Sequence, residues 1–170
     1  MTTLLLPNSE LVALAWLASV PGFTTAMVGT MLPKLPGSGT MPGWVATGFV
    51  TAAVVGGSPD AWMPQAQPVI GVNCWAVNAT QTGGPTGPIN PATKPPWGKA
   101  AQLGEQIRGA AYTLNRSGAA RQVAMPVTGY AHAAVQSAVL LTEPRRVPGD
   151  VGSYARFTFD MQLFWFPEAT

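Results

Sequence analysis

From Gly152 to Phe166 the chain alternates without a break. Ala155, Phe157, Phe159, Met161, Leu163 and Trp165 fall on one side, and Arg156, Thr158, Asp160 and Gln162 on the other, with Tyr154 and Phe164 at the ends. A period of two with this many aromatics predicts a long strand with one buried face. A strand of that length needs partners along its edges, and helices to cover the Phe157/Phe159/Leu163/Trp165 side.

The rest of the chain supplies both. Pro7-Asn8-Ser9-Glu10 reads as a helix start, with Asn8 or Ser9 as the cap. That helix runs to about Ser19 and stops at Pro21-Gly22. It is apolar nearly all round, with Leu11, Leu14 and Leu17 on one face and Val12 and Trp16 on another. A helix without a polar face is covered on more than one side, and in a small domain a neighbouring subunit is the natural second cover. Thr25 to Leu32 predicts a short strand ended by Pro33. Trp44 to Val55 and Pro68 to Val77 predict two longer strands joined by a hairpin with an extended tip, residues 56–67. The second of these is apolar on both faces, as a central strand is.

Asn78 to Pro96 carries neither period and is dense in Gly, Pro and Thr. An unstructured loop of this length inside a domain is uncommon. Two readings fit it: an arm reaching a neighbour, or a tether. Trp97 to about Asn115 is an amphipathic helix, apolar at Trp97, Ala100, Gly104, Ile107, Ala111 and Leu114 and polar at Lys99, Gln102, Glu105, Arg108 and Thr113. Arg121 to Val127 predicts a short extended piece. Tyr130 to Leu141 reads as a strand, against a competing Ala-rich helix, because a turn then leads it into the long C-terminal strand. The turn, Glu143 to Asp150, holds the adjacent pair Arg145-Arg146 at an expected exposed tip. The expected fold is therefore α+β: a single domain over residues 1–170, with a mostly antiparallel sheet of four to five strands, two helices packed on it, and an extended loop at 79–96.

Composition alters this picture in one respect. Charged residues make up 9% of the 170, against roughly 25% in ordinary domains, while the hydrophobic fraction, 47%, is ordinary. The anomaly is missing charge. A surface so poor in charge associates readily when left wet, which points to a chain that works packed against copies of itself or other proteins. The net charge of +2 is too small to argue for nucleic acid. One cysteine, Cys74, excludes an internal disulfide and a cysteine metal cluster. The most apolar early stretch, Leu11 to Val20, is too short to span a membrane, and without a basic residue before it, it does not read as a signal peptide. A cytosol-like compartment is expected.

Catalytic patterns do not assemble. The lone His132 lies in an apolar strand with no placed acid, Cys74 reads as a small core residue, and the seven acids are scattered. The pairs Gly56-Gly57 and Gly83-Gly84 lack the Lys-Ser/Thr of a phosphate loop. The expectation is a protein that is not an enzyme and takes no cofactor and no metal.

A series of motifs, taken in order, resembles the tail terminator proteins of long-tailed bacteriophages, especially those infecting high-GC actinobacteria. They are ELVALAWLASVPG, VGTMLP, FVTAAVVGGSPD, VIGVNCWA, AAQLGEQIRGAAYTL and YARFTFDMQLFWF, spread over residues 9–166. The resemblance implies a structural virion protein. It would form a ring, commonly of six subunits, that caps the tail tube, ends its growth and offers a surface to head-completion or neck proteins. DNA would pass through the hole without specific binding. It also implies assembly in the host cytoplasm, a final place at the head-proximal end of the tail, and no membrane contact. Interface positions expected on this reading are Leu11, Val12, Trp16, Asp60, Arg145 and Arg146. For the two arginines, three roles fit: a solvated tip, docking on an acidic protein surface through the guanidinium fork, or contact with DNA phosphates. A head-side connector or minor tail subunit is the rival in the same class; a secreted binding module is the rival outside it.

Overall fold

The computed structural model describes residues 4–57, 65–148 and 153–168. The chain begins with α1 (Ser9–Ala18), capped by Asn8, whose Oδ1 accepts from the Leu11 N–H at 2.8 Å. A single 3-10 turn (Thr25–Met27) leads into β1 (Val28–Gly29), followed by a short α2 (Gly43–Thr47) and β2 (Phe49–Gly56). Then come β3 (Val69–Val77), β4 (Ala79–Gln81), β5 (Ile89–Pro91), α3 (Trp97–Ser117), β6 (Arg121–Val123), β7 (Ala133–Leu140), β8 (Arg145–Arg146) and β9 (Tyr154–Pro167). The class is α+β, as expected.

One seven-stranded sheet runs in the order β1-β2-β3-β9-β7-β6, with β8 also on β9. All its pairings are antiparallel except β1 with β2. The alternating C-terminal segment is the centre of this sheet. β9 pairs with β3 from Tyr154 to Gln162 and with β7 from Met161 to Pro167. Its Ala155, Phe159, Met161, Leu163 and Trp165 are buried and its Arg156, Thr158, Asp160 and Gln162 are not, which is the alternation read from the sequence.

Both long helices lie on one face. Core-facing Val50, Ile70, Val72, Cys74, Phe159 and Leu163 join Trp16 and Leu17 of α1 and Leu103, Ile107 and Ala111 of α3 in one hydrophobic cluster. α3 packs over β3, β9 and β7, while α1 touches β1, β2 and β6. The sheet therefore curls, bringing its first and last strands to the two sides of α1.

Four expectations need correction. The sheet is larger than four to five strands, because β1, β6 and β8 are two- or three-residue strands too short to show a period. Thr25 to Leu32 is a 3-10 turn plus two strand residues, not a strand throughout. Trp44 to Val55 is divided: Trp44 and Val45 turn into α2 and fill a satellite cluster with Phe49 and Val77. The break falls at Gly48, where φ is +85° and a Cβ would lie 2.6 Å from Leu103 Cδ1. Asn78 to Pro96 is not structureless. It forms the β4–β5 hairpin, with Ala79, Thr80 and Gln81 opposite Pro91, Asn90 and Ile89. Ile89 is buried, its N–H donates to the Gly37 carbonyl, and the Gln81 side-chain amide donates to carbonyls of Gly39, Pro85 and Gly87. The hairpin is thus fastened to its own chain.

Candidate assembly surfaces

The first helix decides which apolar surface remains open. Val12 and Trp16 are 0% and 1% exposed, packed in the chain's own core. They are not available to a neighbour, which corrects two of the three interface positions expected on α1. What stays half-exposed is the stripe Leu11, Leu14 and Ala18, at helical spacings of three and four. The remaining face of α1, expected to need a second cover, is therefore narrow.

Beside that stripe lies a groove of about 400 Å3, lined by Leu14, Ala18, Val28, Val123, Met125 and Pro126 among others. Val28 belongs to β1 and Val123 to β6, so the groove is the gap between the two ends of the curled sheet, floored by α1. Among the described residues no strand pairs with the outer edge of β1 or of β6. The Arg121 guanidinium donates to the Ser19 carbonyl, tying β6 to the end of α1 beside the groove. Just before α1, Leu4, Leu5 and Leu6 are 38%, 59% and 72% exposed. Leu5 is fixed in an extended conformation by its N–H donating to the Gly129 carbonyl and its carbonyl accepting from Ala131, both at 2.9 Å. In the sequence, the signal for this surface is three consecutive leucines ahead of a capped helix.

The arginine pair is placed differently from expectation. Arg145 and Arg146 do not form the tip of the turn; they make β8, opposite Thr158 and Phe157 of β9. β9 has no β7 partner at those positions, so the returning chain occupies the vacant edge. Adjacent strand residues point to opposite faces. Arg146 goes to the helix side, its guanidinium carbon 3.7 Å from the centroid of the Trp97 ring, which in turn meets Phe157 edge-on. Arg145 shares the far face with Thr158. The two guanidinium groups therefore cannot grip one acidic surface together.

That far face is free of α1 and α3, and α2 covers one end of it, packing Trp44 and Val45 against Phe49 and Val77 beside Trp75 and Tyr154. Trp75 and Arg156 are opposite one another on it, with the Arg156 guanidinium 5.0 Å from the indole centroid. The Trp75 Nε1–H donates to Thr51 Oγ1 at 3.0 Å. Toward the other end of the same face stand Val55, 62% exposed, and Val139. Asp60, the remaining expected interface residue, lies outside the described residues.

Cys74 is fully buried in the core, and burial pushes its thiol pKa up. His132 is exposed, just ahead of β7, and its carbonyl accepts from the Glu168 N–H. Among the described residues no three His, Cys, Asp or Glu side chains come together as a metal site, and no helix is long and apolar enough to cross a membrane. In comparisons with known proteins, no family model matches the chain and no characterised protein matches it.

Proposed function

We propose that this is a structural virion protein of the tail-terminator kind. Copies form a ring, most simply of six, on the finished end of a tail tube. The ring stops tube growth, then presents a surface to head-completion or neck proteins, and DNA passes through its centre without specific binding. Assembly takes place in the host cytoplasm, and the working location is the head-proximal end of the tail. The order of motifs along residues 9–166 supports this reading.

The observation that carries it is an uncharged surface left over by a domain whose core is already complete. α1 buries Val12 and Trp16 inside its own chain and still leaves Leu11, Leu14 and Ala18 beside an open groove. Groups of that kind are covered in assemblies. The low charge of the whole chain has the same explanation, since residues at subunit contacts carry few charges.

Tails assembled in cells that lack the protein test it. Tubes of uncontrolled length that fail to join heads are expected, with normal tails restored when the protein is supplied. An electron cryomicroscopy map of complete tails is expected to place a ring of this chain at the head-proximal end. Finding the chain in the head-side connector, or as an unringed decoration, would replace this reading.

A further inference from the structure

We infer that residues Leu4, Leu5 and Leu6 of one copy seat in the α1–β6 groove of the next, so that copies join head to tail. This deepens the ring reading above and rests on it for the closure of the ring, though not for the contact itself.

The groove specifies its occupant closely. One wall is the continuous run 122–126, extending from β6; the other carries Thr25 and Val28. The floor is α1. A groove bounded by free strand edges and floored by apolar side chains takes an extended segment, which can bond to an edge while placing alternate side chains below. It is lined by no acidic or basic side chain, so an uncharged segment suits it. Leu4, Leu5 and Leu6 make such a segment on the surface of the described residues. The run 1–6, MTTLLL, has no charged side chain, and its three leucines are exposed.

Within one chain the two do not meet. Two backbone hydrogen bonds hold Leu5 at Gly129 and Ala131, and none of the three leucines lines the groove. Donor segment and acceptor groove are thus different patches of the same molecule. When a copy gives its segment to one neighbour and takes the segment of another, the contact is heterologous and repeats from copy to copy, closing into a ring or running on as a filament. A reciprocal exchange between two copies would use the same contact but stop at two, so sedimentation distinguishes a closed pair from a ring.

Cysteine pairing between separate copies tests the contact. Leu6→Cys and Ala18→Cys are made as single variants and mixed in equal amounts under mild oxidation at assembly concentration. The buried Cys74 stays out of the reaction. A disulfide joining one copy of each variant is expected, forming at least about tenfold faster than any dimer of either variant alone. In parallel, Leu6→Asp and the groove-filling Ala18→Phe are each expected to weaken self-association about tenfold or more by sedimentation. Leu6→Asp is expected to leave the melting temperature unchanged, because Leu6 is already exposed. A mixture that cross-links no faster than the single variants overturns the inference, as does Leu6→Asp protein that associates like the parent. A chain that is monomeric at every concentration and gives no mixed disulfide overturns it too. Rings on tails without the Leu6–Ala18 disulfide leave the tail reading standing and remove this contact. The mixed disulfide in copies that neither ring nor cap tails keeps the contact and removes the tail reading.

Discussion

Asn115 pairs with the peptide of Ala138 as a neighbouring strand would: its Nδ2 donates to the Ala138 carbonyl at 2.7 Å, and the Ala138 N–H donates to its Oδ1 at 3.1 Å. β6 covers β7 only at Ala133, Ala134 and Val135, so the last turn of α3 closes part of the edge that β6 leaves. An open edge is a template for another chain. Replacing Asn115 by Ala leaves both Ala138 groups without their partner and is expected to cost about 1–3 kcal/mol, read by urea unfolding. Asn115→Asp keeps an acceptor but removes the donor, and should recover only part of that loss. An Asn115→Ala protein as stable as the parent would mean that water replaces the amide at no cost.

Gly48 sits between α2 and β2 for two separable reasons, backbone sign and space. A side chain there meets a φ of +85° and Leu103 at 2.6 Å, whereas at Gly84, with φ of +87°, nothing lies within 4 Å. Gly84→Ala is therefore expected to cost about 1 kcal/mol, the left-handed penalty alone. Gly48→Ala carries that penalty plus an overpacking cost of about 1–3 kcal/mol. Thermal unfolding of the two variants side by side checks this; equal losses would show that Leu103 moves aside freely.

The long elements were legible because burial imposes a period on them. β9, β3 and α3 each fill many core positions, so Phe159, Val72 and Ile107 appear in the sequence at the spacing their geometry demands. The pieces that escaped are held by other means. α2 and the β4–β5 hairpin depend on a few anchors, Trp44 with Val45 and Ile89 with Gln81, and on glycine turns, and three residues of strand show no alternation. The interface positions were harder still. Hydrophobicity marks Val12, Trp16 and Leu11 alike, and only the packing of α1 in the curled sheet separates the two core residues from the third. Arg145 and Arg146 were legible as a pair, but not their division between faces, because β8 has no pattern beyond its pairing with β9.

Cys74 makes stability fall on the alkaline side. Burial raises its thiol pKa in the folded state, so the folded chain holds this proton more tightly than the unfolded chain. The contribution is complete below the unfolded thiol's value of about 8.5 and is lost progressively as pH rises from there toward the folded value, by up to about 1.4 kcal/mol per pH unit. Tyr154, whose phenol is also raised by burial, adds a loss of the same sign at higher pH, above about 10. Cys74→Ala is expected to be less stable at neutral pH because of the cavity, yet to show a flatter decline between about pH 9 and 10, below the range in which a tyrosine phenol ionises. Parallel slopes for both proteins in urea titrations across that range would assign the alkaline loss elsewhere.

Arg145 and Arg146 should separate by phenotype as they do by face. Arg146 lies over Trp97, and Arg146→Ala is expected to lower stability by about 0.5–1 kcal/mol, the range for an exposed cation over an aromatic ring. Arg146→Lys should recover part of this, since an ammonium still meets the ring but without the stacking of a planar guanidinium. Arg145 shares the open face with Thr158 and has no comparable ring partner, so Arg145→Ala should leave stability within about 0.5 kcal/mol. If an acidic partner docks on the face that carries Arg145 and Arg156, Arg145→Ala weakens head joining in a salt-dependent way while tail length stays normal. Arg146→Ala, whose charge points toward α3, should join heads normally once its lower stability is allowed for. Melting curves of the purified variants and counts of joined particles at two salt concentrations check both halves. Arg145→Ala particles that join heads at the parental level would reduce β8 to a strand that fills the edge of β9.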